Sequence, residues 1–171
     1  MATYQLISSV TVGSGGAANI DFTSIPQIYT DLLIKISARS TATPGVAVDN
    51  LLAQYSGVTS SSYSERGLGG NGSSAYSQNY SRTYVGVGLL NSSNSTANTF
   101  GNSEIYIPNY TGSNYKSSSA DGVTENNATA SWVEMDAGLF SNTAAITSIK
   151  LLCGGSFVEY TTAYLYGISN A

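Results

Sequence analysis

The sequence predicts an all-β protein that folds as one β-sandwich or barrel over residues 1–171. Ser, Thr and Asn together contribute 59 of the 171 residues, and their short polar side chains compete with the hydrogen bonds of a helix. Thirteen tyrosines favour strands. Short segments of alternating apolar and polar residues, separated by polar and glycine-rich turns, are typical of antiparallel sheets. A chain of this length is expected to form one domain.

Residues 28–40 predict the central strand of one sheet. Alternate side chains fall on two faces, an apolar face and a second face on which two basic residues reach water: Leu32, Ile34, Ile36 and Ala38 against Leu33, Lys35, Ser37 and Arg39. This period of two is that of a half-buried strand. A helical period would mix Lys35 and Arg39 with the apolar set, so the pattern favours the strand.

The rest of the chain predicts further short strands, nine or ten in all, and no helix. They are expected at residues 4–12, 19–22, 46–55, 83–90, 100–109, from 123–126 onward, 131–140, 146–152 and 161–169. Residues 13–16 and 112–119 are predicted turns. Residues 56–81, which include the glycine-rich run 67–72, and residues 91–98 are predicted loops, and long loops often carry function. Residues 131–140 alternate less cleanly, which indicates a bulge or an edge strand.

Charge and composition exclude several classes of partner. The net charge of −4 is spread thinly, so no basic patch is available to bind nucleic acid. No apolar run approaches the roughly 20 residues of a membrane-spanning helix, and the first residues do not resemble a secretory signal. We therefore expect synthesis and retention in the cytosol unless the protein leaves as part of a larger particle. Cys153 has no partner for an internal disulfide and is expected to be a small core residue.

The absence of histidine removes the usual general base and the usual partner of a nucleophilic Ser or Cys. We therefore expect no enzyme, no catalytic residue and no cofactor. Glu134 and Asp136, at i and i+2 on a strand, could lie roughly 6–7 Å apart, as paired glycosidase carboxylates do, and Trp132 on the same face could stack on a sugar. The alternative is a solvent-facing strand surface, on which the carboxyls would lack the raised pKa that such an enzyme needs. This alternative is favoured, and sugar contact by the three residues stays a second hypothesis.

A calcium site is a further alternative at Asp121, Gly122, Glu125 and Asn126 or Asn127, which carry oxygen ligands. Their spacing matches no known calcium loop, so a plain turn is favoured and no metal is predicted.

Tyrosine offers a large contact area at low entropic cost, which suits a binding surface. The group that looks most like a protein interface combines four tyrosines with two arginines: Tyr63, Arg66, Tyr76, Tyr80, Arg82 and Tyr84. About half of these side chains could instead pack between the sheets, because tyrosine is also a good strand residue.

Three segments resemble small virion proteins of tailed bacteriophages. They are Ile25-Pro-Gln-Ile-Tyr-Thr-Asp-Leu-Leu-Ile-Lys-Ile-Ser-Ala-Arg39, Ile107-Pro-Asn-Tyr with Tyr115-Lys-Ser117, and Thr162-Ala-Tyr-Leu-Tyr-Gly-Ile-Ser-Asn170. The resemblance implies a single-domain antiparallel β-sandwich of jelly-roll type. It also implies a capsid decoration protein, a head fibre or a tail-fibre domain. No functional residue can be transferred, because the roles differ among members.

The resemblance, together with the missing catalytic groups, predicts a non-catalytic virion structural protein on the outer capsid surface. It would decorate or cement the lattice of the major capsid protein, or contact other virion proteins, after synthesis in the host cytoplasm. A homotrimer is expected, because symmetric closure protects sheet edges. The alternative is a tail-fibre or receptor-binding module that recognises host-surface carbohydrate.

Overall fold

The computed structural model describes residues 2–45, 47–128 and 131–169, and its regular elements in these ranges are all strands. They are β1 (Thr3–Thr11), β2 (Ile20–Phe22), β3 (Asp31–Ala38), β4 (Val48–Tyr55), β5 (Tyr63–Gly70), β6 (Ala75–Arg82), β7 (Val85–Asn91), β8 (Gly101–Ile107), β9 (Lys116–Val123), β10 (Val133–Phe140), β11 (Ile149–Leu152) and β12 (Thr162–Ser169). The prediction of an all-β fold is confirmed.

The strands form two antiparallel sheets packed as a sandwich. The large sheet has eight strands in the order β1-β12-β3-β8-β9-β10-β5-β6, and the small sheet has four in the order β2-β11-β4-β7. Strand β7 packs across β8, β9 and β10. The small sheet therefore covers the middle of the inner face of the large sheet, and the opposite, outer face of the large sheet is left open.

The predicted central strand is an interior strand of the large sheet. Leu32, Ile34, Ile36 and Ala38 of β3 are all buried, and Lys35 is exposed. Arg39 differs from the prediction, because its guanidinium does not simply reach into water. It donates hydrogen bonds to backbone carbonyls of the loop between β7 and β8, including those of Thr96 at 2.7 Å and Ser95 at 3.0 Å. Arg39 therefore ties that loop to the end of β3.

Four segmental predictions are wrong. Residues 123–126 do not begin a strand, because β9 ends at Val123. Residues 56–81 are not a long loop, because most of them form the hairpin of β5 and β6. Residues 112–119 are not a turn throughout, since β9 begins at Lys116, and Asp121 and Gly122 lie in that strand. Residues 131–140 contain neither bulge nor edge, because β10 pairs in unbroken register with β9 and β5.

The pairing register places side chains of the large sheet in straight rows. One row on the outer face runs across six strands: Leu68, Met135, Asp121, Glu104, Lys35 and Tyr164. On the inner face of the same sheet, Tyr63 of β5 stacks on Phe140 of β10 with ring centroids 4.9 Å apart, and Tyr55 of the small sheet meets Phe140 edge-on at 5.6 Å. These aromatic contacts join the two sheets near the β5 and β10 end.

Candidate functional site

The inner face of β5, β6 and β10 changes from apolar to polar beyond this aromatic cluster. Glu65, Glu134 and Asp136 are 3%, 3% and 4% exposed. The expectation of a solvent-facing carboxylate surface is therefore wrong for Glu134 and Asp136. The reason is that β10 is an interior strand whose even-numbered side chains point inward, in line with buried Phe140.

Two glycines of β5 make room for the polar groups of this face. A Cβ atom at Gly69 would lie 2.3 Å from the Tyr76 ring, and one at Gly67 would lie 2.7 Å from Asp136 Oδ1. The Tyr76 ring therefore lies directly over Gly69, and its hydroxyl donates a hydrogen bond to Glu134 Oε2. The Gln78 side-chain amide donates to Glu134 Oε1 at 2.8 Å. Glu134 is thus held by two donors from β6.

Asp136 differs from its neighbour Glu134. Both of its carboxyl oxygens are inaccessible, and neither accepts an ordinary hydrogen bond from the described part of the chain. Burial and the nearby Glu134 carboxylate raise the pKa of Asp136 to about 7. Asp136 therefore has the raised pKa of a general acid but lacks an essential feature of one, because both of its oxygens are inaccessible to a substrate atom in this structure.

Glu65 is compensated by a cation and a backbone donor. Arg82 Nη2 lies 3.3 Å from Glu65 Oε1, and the Gly86 backbone N–H of β7 donates to Glu65 Oε2. The Arg82 guanidinium also lies 3.3 Å from the centroid of the Tyr80 ring and 5.4 Å from that of Tyr84, which is cation–π geometry. Glu65 of β5 is thus held by Arg82 of β6 and by Gly86 of β7 in the small sheet.

The six residues predicted as one interface group do not share one surface. Tyr63 is a core residue, whose hydroxyl donates to the Val58 carbonyl at 2.9 Å and accepts from the Tyr55 backbone N–H at 2.9 Å. Arg66 lies on the outer face of β5 and is exposed. Tyr80, Arg82 and Tyr84 lie together, whereas Tyr76 lies further along the inner face of β6, opposite Gly69 and beside Glu134. Tyr63 and Arg66 lie on opposite faces because side chains alternate along β5, a segment that the sequence did not identify as a strand.

The remaining predicted sugar contact, Trp132, precedes β10 and is half-buried. It lines a surface depression of about 240 Å³ together with Asn71, Glu125 and Val133. Trp132 therefore contributes to a different surface from the buried carboxyls of Glu134 and Asp136, and the three residues do not combine into a sugar site.

Neither a cluster of metal ligands nor a long apolar helix occurs in the described residues. No cluster of three potential ligands among Cys, Asp and Glu is placed there to hold a metal ion. The Glu125 carboxylate accepts hydrogen bonds from the backbone N–H groups of Asn126 and Asn127, which lowers its pKa. No helix in the described ranges is long and apolar enough to cross a bilayer.

The outer face of the large sheet carries an apolar patch that sequence reasoning missed. Its members are Leu68 on β5 and Val133 and Met135 on β10, which are 67%, 52% and 67% exposed. Leu68 and Met135 are direct cross-strand partners. We call these three residues the apolar patch. The apolar odd-numbered residues of 131–140 were a usable signal, because they indicate a strand whose outward side chains are not polar.

A second outer-face patch lies at the other end of the same sheet. Its exposed or half-buried aromatic and apolar side chains are Tyr4, Leu6, Tyr106, Tyr164 and Tyr166. We call these five residues the tyrosine patch. Next to them, Lys35 Nζ lies 2.6 Å from Glu104 Oε2. The exposed outer side chains of β9, which are Ser117, Ser119 and Asp121, separate the two patches.

No family model, curated protein or solved structure matches the chain. Its fold defines it as a two-sheet antiparallel β-sandwich. The outer face of its large sheet is open and carries two exposed patches of different chemistry.

Proposed function

We propose that this protein is a non-catalytic structural protein of a bacteriophage virion, which docks on the outer capsid surface as a decoration or cement protein. The observation that carries the proposal is the apolar patch on the outer face of β5 and β10. The resemblance of three segments to small phage virion proteins supplies the setting.

The apolar patch has the chemistry of a protein interface. Exposed contiguous apolar surface commonly marks a binding site, and methionine is enriched at interfaces because its flexible side chain adapts to a partner. Charged side chains lie at the margin, where Asp121 faces Met135 from β9 and Arg66 lies beside Leu68 on β5. An apolar centre with a polar rim is the usual anatomy of a docking surface.

The patch is also rigid. Strand β10 pairs with β9 and β5 over its whole length, and β5 pairs with β6 over all eight residues. Ordered backbone on both sides lowers the entropic cost of docking. A cement protein stabilises a capsid by binding the assembled lattice in preference to the free subunits. A rigid docking surface favours this binding, because little conformational entropy is lost when it docks.

We further propose a homotrimer. In one chain, β1 and β6 are the edge strands of the large sheet, and unpaired edges tend to associate with other strands. Threefold closure covers such edges and fits the local symmetry axes of a capsid. Sedimentation at several protein concentrations tests the trimer independently of docking.

The test of docking uses virions of the phage that carries the gene, prepared with and without this protein. Labelled wild-type protein is expected to rebind the depleted particles, and the Leu68→Ser, Met135→Ser double variant is expected to bind roughly tenfold more weakly or worse. Tyr164→Ala, on the tyrosine patch, serves as the matched control and is expected to rebind normally.

Absence of the protein from purified virions would overturn the proposal. Equal rebinding by the double variant would overturn the assignment of the apolar patch. Because Leu68 and Met135 are exposed, thermal unfolding of the double variant should match that of the wild type, which separates lost docking from lost folding.

A further inference from the structure

We propose that the tyrosine patch is a second binding site, which takes a neutral oligosaccharide. This inference goes beyond capsid docking and does not depend on it. It moves carbohydrate recognition away from Trp132, Glu134 and Asp136, because the two carboxyls are buried and Trp132 lies on another surface.

The geometry provides two shallow depressions that adjoin across four neighbouring strands, and together we call them the groove. Two adjoining depressions of about 350 and 380 Å³ lie on the outer face of β1, β12, β3 and β8. Both are bordered by Lys35, Glu104 and Tyr166. Tyr4 closes the first depression and Tyr164 the second, so aromatic rings occur along the whole length of the groove. Each depression falls within the size range of small-ligand sites, about 300–1,000 Å³.

The lining combines the two kinds of contact that a sugar needs. Tyrosine rings present apolar surface with a polar hydroxyl at the tip, and the C–H face of a pyranose packs on such rings. Polar partners for the sugar hydroxyls lie beside the rings, namely Lys35, Glu104 and Asn102. Next to them, the hydroxyls of Ser37 and Thr162 continue the polar side of the groove.

The ion pair argues against a protein partner at this site. Lys35 and Glu104 are the central members of the groove, with side chains 56% and 45% exposed. Charged residues, and lysine and glutamate in particular, are depleted in the cores of protein interfaces. The apolar patch has no such pair at its centre, so the two patches differ in the partner that they suit.

The same ion pair indicates a neutral ligand. Among the described lining residues, one side chain is basic and one is acidic, and the two lie 2.6 Å apart and neutralise each other. The nearby Asp31 carboxylate accepts hydrogen bonds from the Tyr106 hydroxyl and the Asn109 backbone N–H, both at 2.9 Å. The described residues that line the groove therefore offer no free cation with which to select a sulfated or carboxylated glycan.

The test probes purified protein on an array of neutral, sialylated and sulfated oligosaccharides and then titrates the free neutral oligosaccharide that binds best. The wild type is expected to bind neutral glycans. Tyr164→Ala and the Lys35→Ala, Glu104→Ala double variant are each expected to weaken binding at least tenfold. Tyr115→Ala is the matched control, because Tyr115 is an exposed tyrosine outside the groove, and its binding is expected to be unchanged.

Binding to neutral glycans that Tyr164→Ala abolishes and Tyr115→Ala preserves would support the proposal. Silence on the array, binding confined to acidic glycans, or binding that Tyr164→Ala leaves intact would overturn it. Self-association that depends on Tyr164 would also overturn it, in favour of a second copy of the chain as the occupant. The Leu68→Ser, Met135→Ser variant, which is expected to lose capsid docking, should still bind glycans. The two proposals can therefore fail independently.

Discussion

The ring of Tyr76 lies directly over Gly69, and in this position its hydroxyl donates a hydrogen bond to Glu134. Strand β5 lies between the strands that carry these two residues, so the contact spans the hairpin and fixes β6 to β10. A side chain at position 69 would occupy the space of the ring. The missing side chain of Gly69 is therefore a structural requirement of the β5–β6 hairpin.

Gly69→Ala is expected to destabilise the protein by about 1–3 kcal/mol, because the new Cβ would lie 2.3 Å from the Tyr76 ring and displace it from Glu134. Urea unfolding measures the change. Gly70→Ala is the matched control, since a Cβ there would meet its nearest neighbour at 3.4 Å. Equal stability of the two variants would contradict the close ring packing. The Gly69→Ala, Tyr76→Ser double variant should recover part of the loss, because the ring is then absent.

The protein is expected to lose stability as the pH rises from about 4 through 7. Asp136 has a pKa of about 7 in the folded protein, against 3.8 ordinarily, so the folded state holds a proton that the unfolded chain releases. The stabilisation is complete below the unfolded pKa and is lost as the pH rises through the folded one. The groups that face this carboxyl are Glu134 of β10, Glu65 of β5, and Tyr76 and Gln78 of β6. Over this pH range the unfolding free energy should fall by on the order of 2 kcal/mol or more.

Asp136→Asn tests the assignment, because an amide resembles the neutral acid in shape. Urea unfolding free energies measured from pH 5 to pH 8 should fall for the wild type and change much less for the variant. A parallel decline in both proteins would place the titrating group elsewhere. Asp121→Asn is a suitable control, since Asp121 is exposed on the outer face of β9.

Lys116→Met is expected to cost about 2–4 kcal/mol of unfolding free energy. The Lys116 side chain is buried, and its ammonium donates to the backbone carbonyls of Gly112 at 2.6 Å, Ala144 at 2.7 Å and Thr143 at 3.0 Å. These carbonyls belong to two loops that the lysine joins. Methionine fills similar volume but leaves the carbonyls without their donor.

Lys150→Met provides the comparison for Lys116. Lys150 is a partly exposed lysine whose ammonium lies 4.0 Å from Asp21 Oδ1, and exposed pairs contribute little. Lys150→Met should therefore change the unfolding free energy by less than about 0.5 kcal/mol. Urea unfolding of the two variants measures both changes in unfolding free energy. Equal changes would refute the structural role of Lys116.

Strands with an apolar inner face could be predicted from the sequence, whereas the β5–β6 hairpin could not. In β3 the buried side chains are Leu, Ile and Ala, so their alternation is visible in the sequence. In β5 and β6 the inward positions are occupied by Glu65, Gly67, Gly69, Tyr76 and Gln78. A pattern based on hydrophobicity identifies such a segment as a loop, because its burial depends on hydrogen bonds and ion pairs with other strands.

The candidate sites, too, could be predicted from the sequence only in part. The sequence drew attention to Glu134, Asp136, Tyr76 and Arg82. All four lie on the inner face, where Tyr76 contacts Glu134 and Arg82 instead pairs with Glu65. It did not reveal the apolar patch or the tyrosine patch, because their members come from strands far apart in the chain. Leu68 and Met135, or Tyr106 and Tyr166, become neighbours only through strand pairing.

By itself, the sequence determined that this protein is built from short antiparallel strands, since side-chain alternation and the shortage of helix-favouring residues are local properties. Only the tertiary structure decided which face of each strand is buried and which residues meet on the open face of the large sheet. The physical reason is that strand order and register are set by contacts between distant segments. A shift of one residue in register exchanges the inner and outer side chains of an entire strand.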